Sequence, residues 1–240
     1  MLKKQKIIFL DRDGTICTDR GAFHAKITDY KSVLDNIEPI KGCKDALKKL
    51  KDNGYMLVVI SNQAGVAKGK FKESDIHKFN DILNKMLGDV VDGFYYCIHH
   101  KNGMDRNGHL SENAIKDLLL DCGCRKPKIG MFLKCKEDLK NGCIQYIDEE
   151  IMNSDYAYKK DRKIYKKSVS PCDIDIEHSY MIGDKKIDLV SGKNFDLKTI
   201  LVKTGEGEEE LKQHNKMMKD RDYDYIANDI SDAVNYILEK

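Results

Sequence analysis

Proline is scarce and tryptophan absent: three prolines and no tryptophan occur in 240 residues. So few prolines leave no Pro-rich linker, and no internal repeat divides the chain, so nothing marks a boundary between independent domains. No apolar run approaches the roughly 20 residues of a membrane span. The basic start Met1-Leu2-Lys3-Lys4-Gln5-Lys6 leads only into Ile7–Leu10, too short for the core of a secretion signal. Charge of one sign is missing too. The 42 basic residues face 40 acidic ones, so no global field points to nucleic acid or to an anionic membrane. We expect a cytoplasmic protein without membrane or nucleic-acid partner, long enough to bury one substantial core. Its eight cysteines are then expected as buried thiols or metal ligands, not disulfides.

What is present is organised around Ile7-Ile8-Phe9-Leu10-Asp11-Arg12-Asp13-Gly14-Thr15. Four apolar residues read as a fully buried strand, which ends in two carboxylates one residue apart and a glycine. In an open parallel sheet, ligands bind beyond the carboxyl ends of the strands, where Asp11 and Asp13 fall. Two close carboxylates repel, which favours a bound cation or one raised pKa. Taken alone, the stretch also reads as an acidic turn after a strand.

Further strands are expected at Met56–Ile60, Gly93–Cys97, Tyr180–Ile182 and Ile200–Val202. Helical spacing joins Ile40, Cys43, Ala46, Leu47 and Leu50 with a stop at Gly54. It also joins Ile76, Phe79, Ile82, Leu83 and Met86, then Met131, Phe132, Cys135 and Leu139. A last helix capped by Asn228 or Asp229 carries Ile230, Ala233, Val234, Ile237 and Leu238. Ser111 is expected to cap a short helix through Asp121, with Ala114, Ile115, Leu118 and Leu119 on one side. The stretch from about 140 to 176 shows neither period. Phe23, His24 and Tyr30 lie in a loop that could meet a ligand. Alternating strands and helices argue for an α/β fold, a Rossmann-like parallel sheet with helices on both faces.

Two pairs of soft ligands stand out: Cys97 with His99, and Cys122 with Cys124. Three thiolates and an imidazole make a closed tetrahedral set suited to structural Zn²⁺. The spacing is not that of a zinc finger, and the alternative is a buried strand residue at Cys97 with free thiols at Cys122 and Cys124. His100, and less so His109, compete for the imidazole position.

The Asp-x-Asp-Gly-Thr run at residues 11–15 resembles the first motif of the haloacid dehalogenase-like (HAD-like) phosphohydrolases. Ser61, Lys126 of Arg125-Lys126-Pro127 and Asp184 of Gly183-Asp184-Lys185 follow in that superfamily's order. The resemblance implies Asp11 as a nucleophile forming an aspartyl-phosphate, and Asp13 as the acid–base, a role that favours a raised pKa. It implies Mg²⁺ on Asp11, Asp184 and the Asp13 carbonyl, with Ser61 and Lys126 on the phosphoryl oxygens. Asp188, one helical turn beyond Asp184, reads either as a supporting acid or as a solvated one.

Phe9–Ile16, Ser61–Gly65, Asp92–His100, Cys124–Lys128 and Ser179–Lys185 are together similar to the D-glycero-D-manno-heptose 1,7-bisphosphate phosphatases, which share a zinc loop with the histidinol-phosphate phosphatases. That resemblance implies one cap-less domain over residues 1–240 with a zinc loop at about 97–124. The loop between His99 and Cys122 is longer than the family's, and the stretch at about 140–176 has no counterpart in it and reads as an insertion. The insertion could be a partial lid, an oligomer contact on an otherwise monomeric protein, or a flexible arm. The resemblance also implies Zn²⁺ on Cys97, His99, Cys122 and Cys124, Arg125 gripping the substrate, and Asn62 and Gln63 lining the mouth. A family tyrosine corresponds to Ala22.

The expected activity is therefore Mg²⁺-dependent hydrolysis of a small sugar phosphate, a heptose bisphosphate first. A second phosphate suits Arg125 with Lys68 or Lys185, whereas histidinol phosphate wants a carboxylate for its ammonium, and none stands out in these loops. A histidinol-phosphate phosphatase, and a non-catalytic zinc-stabilised binding module, are the alternatives.

Overall fold

The computed structural model describes residues 2–18, 34–104, 108–154, 158, 164–214 and 223–240. Ala22, Phe23, His24 and Tyr30, named above, lie outside the described residues. The strands are β1 (Lys3–Gln5), β2 (Ile7–Leu10), β3 (Met56–Asn62), β4 (Gly93–Cys97), β5 (Cys143–Gln145), β6 (Lys166–Ser168), β7 (Cys172–Ile174), β8 (Tyr180–Gly183), β9 (Lys198–Val202) and β10 (Tyr225–Ala227). Six of them form one sheet in the order β10-β9-β8-β2-β3-β4, with every neighbouring pair parallel. The chain leaves β2 towards β3 and β4, then returns to its other side as β8. The carboxyl end of β2 is therefore the topological switch point, where such sheets bind ligands.

Both faces of the sheet are covered, which is why β2 is apolar throughout instead of alternating. Ile8 and Leu10 join one cluster with Leu47, Leu50, Val234 and Ile237. Ile7 and Phe9 join the other, with Met131, Phe132, Cys135 and Leu139 of the helix Gly130–Lys140. Phe9 and Phe132 meet at 4.9 Å between ring centroids. Each such side chain contributes roughly 1.5–3 kcal/mol on burial.

The helix Cys43–Asp52 buries Cys43, Ala46, Leu47 and Leu50 and is followed by Gly54 at φ 81°, the left-handed residue that its stop needs. In the helix Glu73–Met86, Ile76, Phe79 and Leu83 face inwards. Met86 does not: it is the last helical residue and 42% exposed. Asp229 caps the helix Ile230–Leu238 by accepting from Asp232 N–H at 2.9 Å.

Two expectations are corrected. No helix runs from Ser111 to Asp121, only a single turn at Lys116–Leu118. The Ser111 hydroxyl donates to Lys68 O at 2.6 Å instead of capping, and Leu118 packs with Val66, Phe71 and Ile98. The stretch after Lys140 is not irregular either. β5 and β6 pair antiparallel, Glu149–Met152 forms a short helix capped by Asp148, and β7 runs parallel to β1. Elements of three or four residues are too short to show a period. Ile144, Cys172 and Ile174 lie in the same cluster as Phe132, and His77 Nδ1 accepts from Asp148 N–H at 3.0 Å. The described part of this stretch is thus seated on the core. Among the described residues, no helix is long and apolar enough to cross a membrane.

Candidate active site

Three functional side chains issue from the carboxyl ends of adjacent parallel strands: Asp11 after β2, Ser61 as the penultimate residue of β3 and Asp184 after β8. Gly14 is where the local sequence meets the site. Its φ is 90°, and the Asp184 carboxylate lies so close that a Cβ on Gly14 or on Gly205 would overlap it. The turn is held by Thr204 Oγ1 donating to Gly14 O at 2.7 Å, and Glu206 N–H donates to Asp184 Oδ2 at 2.9 Å.

Asp184 is fully buried, and its Oδ1 has no hydrogen-bond partner. Burial, together with the Asp11 charge, pushes its pKa up to about 8. The same causes raise Asp188 to about 6, against the attraction of Lys126. Oxygens of Asp11, Asp184 and Asp188 lie within 4.8 Å of one another. Three buried carboxylates with an orphaned oxygen form a hard-ligand set that fits Mg²⁺. The Asp13 side chain is outside this cluster.

Lys126 is the internal counter-charge. Its Nζ lies 2.5 Å from Asp11 Oδ1, 2.7 Å from Asp188 Oδ1 and 2.8 Å from Ile60 O, all buried. Burial alone would lower its pKa, but the two carboxylates raise it above the ordinary value. Asn62 fixes this lysine's backbone: its Oδ1 accepts from Lys126 N–H at 3.0 Å and its Nδ2 donates to Lys126 O at 3.2 Å.

Gln63 is placed differently from the expectation. It is buried beneath the mouth, where Nε2 donates to Ser61 Oγ at 2.7 Å and to Asp13 Oδ2 at 2.9 Å. Asp13 also differs. Burial would raise its pKa, but the Arg12 guanidinium, bonded to both of its oxygens, holds it below the usual carboxylate value.

The pocket has a volume of about 230 Å³. Asp11, Ser61, Lys126, Asp188 and most of Lys68 are buried in its wall, while Asp13, Asn62, Arg125, Lys185, Ile187 and Glu206 line the more open part. Sequence reasoning missed Glu206. It corrects the statement that no carboxylate stands near the mouth, and it lies 3.7 Å from Lys185 Nζ. Its signal was position: like the other site residues, it follows the carboxyl end of a strand, β9.

The soft ligands converge as well. Cys124 Sγ is 3.1 Å from Cys97 Sγ, 3.3 Å from Cys122 Sγ and 3.3 Å from His99 Nδ1. Cys97 Sγ is 3.5 Å from Cys122 Sγ and 3.7 Å from His99 Nδ1. These are five of the six edges of a tetrahedron of about the size that Zn²⁺ spans, and all four atoms lie within 4.8 Å of one another. With no cation, the Cys97 contact and burial push the Cys124 thiol up to about 12, so a cation is what would make that thiol anionic. His100 is not part of it: its Nδ1 accepts from Gly103 N–H at 2.9 Å. His109 is exposed and also outside the cluster.

The sequence profile of the polynucleotide kinase 3 phosphatase family matches residues 6–183. A D-glycero-beta-D-manno-heptose-1,7-bisphosphate 7-phosphatase of Haemophilus ducreyi is 31% identical over 243 residues, covering 97% of this chain and 98% of the relative. The protein of that name from Escherichia coli K12 is 33% identical over 209 residues, covering 85% and 83%. Among solved structures, a D,D-heptose 1,7-bisphosphate phosphatase of B. bronchiseptica, complexed with magnesium and phosphate, superposes with a TM-score of 0.66 at 20% identity, covering 98% and 99%. The Burkholderia thailandensis enzyme of that name gives 0.52 at 16% identity, covering 98% and 100%.

Proposed function

The chain belongs to the D-glycero-D-manno-heptose 1,7-bisphosphate phosphatase family of HAD-like phosphohydrolases, and from that premise we propose that it hydrolyses a heptose 1,7-bisphosphate at its 7-phosphate. It is a phosphoric monoester hydrolase, and within this proposal it is one cytoplasmic HAD-like domain over residues 1–240. The observation that supports this reading most is the assembly at the switch point. A buried aspartate, Asp11, is paired with a buried lysine, and a neighbouring acid, Asp184, carries an unpartnered oxygen.

In this reading the Asp11 carboxylate attacks phosphorus, and the P–O bond to the sugar breaks. Asp13 gives its proton to the departing alkoxide. It then takes one from the water that releases phosphate from Asp11. The Arg12 contact favours the ionised Asp13 of the second displacement. Lys126 and Ser61 face the charge that develops on the phosphoryl oxygens. Asp11, Asp184 and the Asp13 carbonyl are the groups that would hold Mg²⁺, with Asp188 beside them. Bound there, the ion supplies further positive charge against those oxygens. Cys97, His99, Cys122 and Cys124 would hold Zn²⁺, which fastens the loop carrying Arg125 beside the pocket. Arg125, Lys68 and Lys185 form a cationic rim for the second phosphate. Glu206 weakens the charge argument against histidinol phosphate, so the preference for a bisphosphate rests on the family and on this rim.

Phosphate release over a panel of sugar phosphates, sugar bisphosphates, histidinol phosphate and a 3′-phosphorylated oligonucleotide tests the substrate. The highest kcat/KM is expected for heptose 1,7-bisphosphate, and Asp11→Asn is expected to abolish it. A preference for histidinol phosphate or for the oligonucleotide overturns the substrate assignment, and an active Asp11→Asn protein overturns the mechanism.

A further inference from the structure

Arg12 stands between the two site aspartates, yet it does not line the pocket and is only 3% exposed. Its Nε donates to Asp13 Oδ1 and its Nη2 to Asp13 Oδ2, both at 3.0 Å, a two-pronged match of guanidinium to carboxylate. The third nitrogen, Nη1, donates to Asn80 Oδ1 at 3.1 Å. The guanidinium carbon lies 3.9 Å from the centroid of the Phe79 ring. Phe79 and Asn80 belong to the helix Glu73–Met86, which Ile76 and Leu83 anchor in the interior. A free aspartate rotates about χ1 and, broadly, about χ2. Here both torsions are tied by one planar cation that is itself held by a packed helix, and Gln63 Nε2 adds a third donor on Oδ2 at 2.9 Å.

We propose that Arg12 is a positioning residue for proton transfer at Asp13, fixing the plane of that carboxylate through a guanidinium locked by Phe79 and Asn80. The proposal rests on the reading of Asp13 as the acid–base. It adds a second requirement to charge: geometry. Lysine at position 12 would keep the positive charge but lose the fork, because an ammonium is a point donor. Displacing a catalytic group by about 1 Å costs on the order of 100-fold in rate.

The test compares Arg12→Lys, Asn80→Ala and Asp13→Asn with the native enzyme at saturating Mg²⁺, on a sugar phosphate and on p-nitrophenyl phosphate. An aryl leaving group hardly needs a proton, so a fault in proton transfer shows mainly on the sugar phosphate. Arg12→Lys is expected to lower kcat on the sugar phosphate by about 10-fold or more, with KM unchanged and a smaller loss on the aryl phosphate. Asn80→Ala, which touches neither substrate nor Asp13, is expected to give the same pattern at smaller size. It carries the test should Arg12→Lys fail to fold. Parallel losses on both substrates, a rise in KM at constant kcat, or native kinetics overturn the proposal while the Asp13 reading stands. An Asp13→Asn protein that loses both substrates equally removes the acid–base reading and the proposal with it.

Discussion

Replacing Lys126 by methionine keeps much of its volume and removes the fully buried positive charge of an acidic cluster, leaving the half-buried Lys185, 3.8 Å from Asp184, at its edge. Nζ contacts Asp11 and Asp188, and Asp184 lies within the same group of oxygens. Removing one partner of a buried ion pair costs about 3–5 kcal/mol, because the remaining charge is left uncompensated. In a domain of this size that is a fall of roughly 6–20 °C in Tm. The size depends on pH. Asp184 and Asp188 are raised to about 8 and about 6 from an ordinary 3.8, so the folded, metal-free protein holds protons that the unfolded chain has released. The stability they contribute is complete below their unfolded pKa and is lost as pH rises through the folded values. Lys126, raised above its ordinary 10.5, is charged throughout this window and offsets that loss. The Lys126→Met penalty is therefore expected to be larger at pH 8 than at pH 6. Mg²⁺ should recover more of it than it adds to the native protein, since a cation that binds the folded state stabilises that state. Thermal melts at both pH values, in chelator and in Mg²⁺, check this. An unchanged Tm in chelator at pH 8, or a larger fall at pH 6, would refute the reasoning.

Protein purified without chelator is expected to hold about one tightly bound Zn²⁺ per chain. Cys122→Ser should release it and lower Tm, and elemental analysis finding no zinc in the native protein would count against the site. Arg125→Ala is expected to reduce kcat/KM for the bisphosphate by about 10-fold or more, roughly 1.4 kcal/mol, with a smaller effect on a monophosphate. Equal losses on both would remove the second-phosphate role. Ile144→Ala, whose native side chain is fully buried and would meet a Cβ placed on Gly93, is expected to cost about 2–5 kcal/mol in urea unfolding. A change near zero would mean that β5 is not seated on β4.

The sequence by itself determined the strands β2, β3, β4, β8 and β9, because residues buried on both faces of a parallel sheet must be apolar in unbroken runs. It also determined where to look for chemistry, since Asp11, Ser61 and Asp184 each end such a run. The cysteine–histidine set was legible as two pairs of soft ligands, but their separation in sequence leaves their meeting undetermined. Only the fold brings Cys97 and Cys124 to 3.1 Å and leaves His100 out. Short elements were illegible for a plain reason. β5, β6, β7 and β10 have three residues each, and what fixes them is the core they pack on, such as Ile144 over Gly93. The tertiary structure alone decided the electrostatics. Asp13 was expected above its usual pKa and lies below it, because Arg12, clamped by Phe79 and Asn80 some 68 residues away, holds its charge. Asp188 could have been solvated, and it is buried against Lys126. Glu206 joined the pocket only because the turn after β9 packs on Gly14 and Asp184. A pKa depends on desolvation and on charges within a few ångströms, and those distances are set by packing between segments remote in sequence.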